Sequence, residues 1–110
     1  MAVSEKNSLE QRVKDGLLLD SYGTQLTEKQ RGACEMVLLR DLSLAEAAEN
    51  LGVSRQGVHD LITRAREHME ELESSLRLVE KRREMEKALE DNKSRLPEDF
   101  YAAFKKILEA

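Results

Sequence analysis

Residues 44–61, LAEAAENLGVSRQGVHDL, carry two short amphipathic patterns on either side of a Gly-Val-Ser. Two helices that cross steeply over a three-residue turn make specific demands. The first needs a small side chain where the second comes closest, the turn needs a residue that tolerates positive φ, and the second helix needs a branched apolar residue facing the first. Ala48, Gly52 and Val58 meet these demands in order, four and six residues apart, and Leu51, Val53 and Leu61 fill the remaining inward places. About six positions agree with one geometry, where a chance pair of amphipathic helices would satisfy about two or three. The stretch reads as a helix-turn-helix.

Working outward, Ser43-Leu44-Ala45-Glu46 is a capping box that opens the first helix of the pair, and Ser54 caps the second. A further box, Thr27 to Gln30, opens an earlier helix that runs to about Arg40 with Ala33, Cys34, Val37 and Leu38 inward. Before it, a helix over about 5–22 places Leu9, Val13, Leu17, Leu18 and Tyr22 on one face, and Gly23 ends it. After Ser54 the apolar residues Val58, Ile62, Ala65, Met69, Leu72, Leu76 and Val79 alternate steps of four and three, a heptad seam that predicts an extended fourth helix. The seam stops at Arg83 and Glu86, and Met85 and Leu89 restart it out of register within EKRREMEKALED. That segment reads as a solvated or frayed helix, with Glu80 to Arg83 and Glu84 to Lys87 as pairs. Pro97-Glu98-Asp99 opens a last short helix with Phe100, Tyr101, Phe104, Ile107 and Leu108 on one side. No internal repeat or low-complexity linker is visible. The expected fold is all-α: a trihelical helix-turn-helix core, an extended fourth helix and a short C-terminal helix. Residues 1–70 form the helix-turn-helix domain with its N-terminal helix, and 71–110 a C-terminal helical extension.

Composition agrees. The chain has 110 residues, enough for one core, and is 36% charged and 4% aromatic with a single Pro, which favours helices over sheets. No apolar run approaches the roughly 20 residues of a membrane span, and MAVSEKNSLEQ lacks the apolar stretch of a secretory signal, so a cytoplasmic protein without membrane attachment is expected. Cys34 has no second cysteine to pair with and reads as a small buried hydrophobe.

With Val58, Leu61, Ile62 and Ala65 inward, the fourth helix turns Arg55, Gln56, His59, Asp60, Thr63 and Arg64 outward. Arg and Gln at a helix N-terminus are the chemistry that reads guanine and adenine edges in a major groove, and a helix N-terminus favours phosphate. Ser54, Arg55, Gln56, His59, Thr63 and Arg64 are therefore the candidate nucleic-acid-binding residues. Net charge is −4, and residues 51–69, with three cations against two carboxylates, are the one net-positive stretch. Arg55, Arg64 and Arg66 neutralise few phosphates, so a lone protomer binds weakly. Either a homodimer doubles the contacts, or the motif docks on protein, or the trihelical core is kept simply as a stable fold. Gly57, costly in a first turn, points either to a close approach to the backbone there or, equally, to a relic with no role. Met69, Leu72, Leu76 and Val79 are candidate oligomerisation residues. They must be covered either by the first and last helices or by a second protomer, because leaving them wet costs too much.

Enzymatic chemistry finds no support. Gly52 to Gly57 has the glycine spacing of a phosphate loop, but Val58-His59 follows where Lys and Ser or Thr are required. His59 and His68 stand nine residues apart on one helix and cannot share a metal. No nucleophile context is present. No cofactor, catalytic residue or small-molecule substrate is expected.

The segments LLLDSYGTQLTEKQ, RDLSLAEAAENLGVSRQGVHDLITRARE and LRLVEK resemble the YlxM family of small bacterial helix-turn-helix proteins over about residues 17–81, and the trihelical part is similar to region 4 of bacterial sigma factors. The resemblance rests on Leu26-Thr27-x-Lys29-Gln30, Asp41-x-Ser43-Leu44-x-Glu46 and Val53-Ser54-Arg55-Gln56-x-Val58. It implies an all-α cytosolic regulator that binds nucleic acid, associated with the signal recognition particle pathway, whose components include an RNA and a GTPase; no catalytic activity is implied. Val37 and Leu38 stand where the family usually has aromatics, Ser21 where Phe is common and Ala47 where Ile is frequent, which lightens the core. Three roles follow as expectations: a nucleic-acid-binding module of that pathway, an adaptor docked on its GTPase, or a dimeric DNA-binding transcription regulator.

Overall fold

Side-chain caps decide where the helices of this chain begin. The computed structural model describes the backbone of residues 5–110 and side chains from residue 9 onward. The described residues form six α-helices and no strand: α1 (Glu5–Tyr22), α2 (Glu28–Cys34), α3 (Leu44–Leu51), α4 (Arg55–Leu76), α5 (Leu78–Asp91) and α6 (Glu98–Glu109). The all-α fold is as expected. The Thr27 hydroxyl accepts from the Gln30 amide and the Gln30 side chain accepts from the Thr27 amide, both at 3.1 Å. Ser43 and Glu46 make the same reciprocal pair at 3.0 and 2.8 Å, so both orphaned ends are satisfied before α2 and α3 start. The second helix does not reach Arg40 as a regular α-helix. Its last turn, Glu35–Leu39, widens into a π-helix, and the Arg40 amide closes it on the Glu35 carbonyl at 3.0 Å. Asp41 then takes φ 58, and the Arg12 guanidinium holds its carboxylate at 2.8 Å.

The chain divides into two compact units, one ending at Leu76 and one spanning Arg77–Ala110. In the first, α1, α2 and α3 all pack on α4. The core is Leu18, Leu19 and Tyr22 of α1, Leu26 of the turn that follows, Ala33 and Cys34 of α2, Ala47 and Ala48 of α3, and Val58, Ile62, Ala65 and Met69 of α4. One expectation fails here: Leu9 and Val13 are exposed. The buried face of α1 runs Asp15, Leu18, Leu19, Tyr22, the i, i+3, i+4, i+7 pattern rotated away from the Leu9, Val13, Leu17 line. An aspartate tops this face because α4 supplies its partner. Arg66 donates to Asp15 through Nε at 3.1 Å and Nη2 at 2.8 Å, and Gln11 adds a third bond at 2.9 Å. Lys14 meets Glu70 at 2.5 Å and the Tyr22 hydroxyl donates to Glu73 at 2.5 Å, so α1 grips one stripe of α4, residues 66, 70 and 73. Cys34 is fully buried, and burial pushes its thiol up to about 11.

The expected seam does not continue on one helix. α4 ends at Leu76, Arg77 adopts φ 55, and Val79 belongs to α5. In the second unit Arg77 takes both Glu80, at 2.7 Å, and Glu84, at 3.4 Å, while Lys87 reaches forward one turn to Asp91 at 2.8 Å. The expected Glu80–Arg83 and Glu84–Lys87 pairs give way to these, because the guanidinium at the start of α5 lies within reach of both carboxylates. Leu89 and Leu108 are buried, Tyr101 donates to Glu90, and Arg82 donates to the Leu108 carbonyl.

The structure also contains a repeat that the sequence reading does not see. A one-turn 3-10 helix links α1 to α2 at Gly23–Gln25 and α5 to α6 at Lys93–Arg95, and α2 and α6 begin at Glu28 and Glu98, each pair 70 residues apart. Backbone torsions agree along the turn: Tyr22 (−122, 0) with Asn92 (−111, 10), and Leu26 (−87, 156) with Leu96 (−100, 143). Thr27 (−65, 159) matches Pro97 (−57, 142). At the same spacing Leu19, Leu26, Glu28, Ala33 and Leu38 recur as Leu89, Leu96, Glu98, Ala103 and Leu108. Only this skeleton is shared; most intervening side chains differ, which hides the repeat from a pattern search.

Candidate nucleic-acid interface

The turn between α3 and α4 is built by three residues with separate tasks. Gly52 takes φ 69, ψ 34, the left-handed stop at which a Cβ is strained. The Val53 amide reaches back to the Ala48 carbonyl at 3.1 Å, closing the end of α3. Ser54 starts α4, its hydroxyl accepting from the Gly57 amide at 2.9 Å. Gly57 is explained by the same turn: a Cβ there would lie 3.2 Å from the Ser54 hydroxyl oxygen and 3.4 Å from the Val53 Cβ. The close approach expected at Gly57 thus comes from the chain's own cap.

Anchored in this way, α4 buries Val58, Ile62 and Ala65 and turns Arg55, Gln56, His59, Asp60, Thr63 and Arg64 to solvent, all exposed. Ser54 is exposed but its oxygen is engaged in the cap. Gln56 donates to Asp60 at 3.0 Å one turn on, which holds its side-chain amide. Asp60 also lies 3.8 Å from the His59 ring nitrogen. Sequence reasoning passed over Asp60 as a bystander, though the i, i+4 spacing from Gln56 was the available signal. Among the described residues no ion pair engages Arg55 or Arg64.

Arg66 is a correction. Counted with Arg55 and Arg64 as a phosphate contact, it is instead committed to Asp15, and those hydrogen bonds raise its pKa further. The candidate oligomerisation residues are also not together on one face. Met69 is fully buried in the first unit, Leu72 is half-buried, Leu76 is exposed at the end of α4, and Val79 stands on the next helix. Among the described residues no helix is long and apolar enough to cross a membrane.

A tri-helical core that presents one polar face of its last helix over a glycine turn defines a helix-turn-helix protein. Residues 9–107 match the family model described as "Putative helix-turn-helix protein, YlxM / p13 like", and the chain belongs to that family. It is 50% identical over 74 residues to a UPF0122 protein of Caldanaerobacter subterraneus subsp. tengcongensis, covering 67% of this chain and 63% of that protein. It is 47% identical over 76 residues to a UPF0122 protein of Staphylococcus haemolyticus, 69% of each chain. Over 107 residues it is 39% identical to a UPF0122 protein of Clostridium botulinum strain Alaska E43, covering 92% of this chain and 98% of that one.

Proposed function

We propose that this protein is a cytoplasmic nucleic-acid-binding regulator that reads its target with the first three turns of α4. One observation carries the reading: Arg55, Gln56, His59, Thr63 and Arg64 share the solvent side of a helix whose opposite side is anchored in the core. In the groove, Arg55 and Gln56 take base edges, Arg64 takes a phosphate, and Asp60 orients the Gln56 amide. With Arg66 committed elsewhere, each protomer offers two arginines, so binding is weak and its salt dependence shallow, each phosphate contact adding about 0.9 to the slope. The resemblance to YlxM proteins supports the finer reading, a place in the signal recognition particle pathway.

The test is an electrophoretic mobility shift with duplex DNA and structured RNA as separate arms. Arg55→Ala combined with Gln56→Ala should abolish a salt-sensitive shift while far-UV circular dichroism is unchanged. Binding that survives the double variant discards these residues as the reading surface. Capture from cytosol with and without nuclease tests the finer reading: particle components that stay bound after RNA is destroyed point to protein docking instead.

A further inference from the structure

The α5–α6 hairpin repeats the α1–α2 hairpin, yet the two are covered differently. Gln30, Ala33 and Cys34 of α2 and Val37 of the π-turn that extends it are spaced as one face, and its centre, Ala33 and Cys34, is fully buried where α2 packs on α4. Seventy residues on, the same face of α6 is Phe100, Ala103, Phe104 and Ile107. There Phe100 is 51% and Ile107 70% exposed, and the two phenyl rings stack on each other at 5.9 Å. The second unit therefore carries a face of the kind a helix covers in the first, more apolar than its counterpart and open.

We propose that α6 of a second copy occupies this face, packed antiparallel about a two-fold axis level with Ala102. Charge along α6 is sorted, with Glu98 and Asp99 in its first turn and Lys105 and Lys106 beyond the midpoint. Antiparallel copies in this register bring Phe100 level with Phe104 of the second copy and set Asp99, which shares a helix flank with Lys106 seven residues on, beside Lys106 of the second copy. A parallel pair would set like charges side by side. Beside Phe100 and Phe104 runs an apolar groove of about 260 Å³ between α5 and α6, lined also by Met85, Leu89 and Leu96, which adds to the apolar surface open to a second copy. Met85 is 43% exposed; with Phe100 at 51% and Ile107 at 70%, the exposed parts come to roughly 300 Å² per copy at 150–250 Å² for a large side chain. The roughly 600 Å² of apolar surface from two copies matches the apolar share of an interface near the small end of the specific range. An interface this small belongs with weak association, and a dissociation constant in the micromolar range is the expectation tested below.

Sedimentation velocity of the full chain from about 1 to about 300 µM spans that range. The expected result is a concentration-dependent shift from 12.6 kDa toward twice that mass. Ile107→Glu, at a position too exposed to disturb the unit, should raise the dissociation constant at least about tenfold. A charge exchange tests the register. The variant Lys105→Glu with Lys106→Glu and the variant Glu98→Lys with Asp99→Lys should each remain monomeric alone and associate when mixed, because only the mixed pair has opposite charges at both ends. A wild-type chain that stays monomeric at the highest concentration overturns the proposal, as does a dimer indifferent to Ile107→Glu. Charge variants that each dimerise alone, or fail to pair when mixed, overturn it too.

Discussion

Replacing Arg66 with Ala strands the Asp15 carboxylate. Its side chain is 1% exposed and accepts three hydrogen bonds, two of them from Arg66. A bond to a charged group contributes about 1.5–3 kcal/mol. The Arg66 side chain is 37% exposed, so water screens its side of the pair and the lower end of that range applies, giving about 3 kcal/mol for the two bonds. A unit of this size holds on the order of 7 kcal/mol, so the variant forfeits close to half of it. At about 1.2 kcal/mol per molar urea the unfolding midpoint should fall by about 2.5 M. The chain has two tyrosines and no tryptophan, which makes the assay clean. In a Tyr101→Phe background the remaining tyrosine, Tyr22, lies buried in the first unit and reports that unit's unfolding by fluorescence. Asp15→Leu combined with Arg66→Met removes both charges at similar volume and should recover to within about 1 kcal/mol of the parent, since no charge is left buried. A midpoint shift under about 0.5 M in Arg66→Ala refutes the argument. So does a double variant as damaged as the single one, which would assign the loss to the packed stem of Arg66 rather than to a stranded carboxylate.

Three further outcomes follow from local geometry. Ser54→Ala deletes the acceptor of the Gly57 amide and should cost about 1 kcal/mol in the same urea titration, with faster amide exchange confined to the first turn of α4. The Glu46 carboxylate sits below its usual range because the Ser43 amide and hydroxyl bond its charged form. Its contribution is therefore present above the unfolded value of about 4 and is lost as pH falls through the folded one; thermal midpoints of wild type and Glu46→Gln should converge on acidification. Cys34, fully buried and pushed up to about 11, should resist iodoacetamide at neutral pH until denaturant is added, as read by intact mass; rapid native labelling would contradict its place in the core.

What the sequence revealed and what it hid divide along a physical line. Caps, the glycine stop and the inward face of α4 are local: a hydroxyl three residues from a glutamate, or a glycine after a helical pattern, determines its own hydrogen bonds, and the boxes at Thr27 and Ser43 appear as read. The partnership of Asp15 with Arg66 joins residues 51 positions apart, and nothing in either one's neighbourhood announces the other. In hindsight a faint signal existed, since Asp15 heads a stripe with Leu18, Leu19 and Tyr22 at helical spacing, and an acid in an apolar stripe asks for a distant base. The heptad seam failed for a related reason. Periodicity cannot register one left-handed residue, and Arg77 at φ 55 ends α4 without a glycine to mark it. Its guanidinium binds Glu80 and Glu84 of the following helix, and these ion pairs accompany a conformation that costs an ordinary side chain about 1–2 kcal/mol. The same logic separates the two hairpins. Their turns share a skeleton because a 3-10 turn, a leucine and an acidic first turn solve one backbone problem, whereas the faces of α2 and α6 diverged with what each must meet. Cys34 and Ala33 are small because α4 lies close, and Phe100 and Ile107 are large on a face that the second unit leaves open among the described residues.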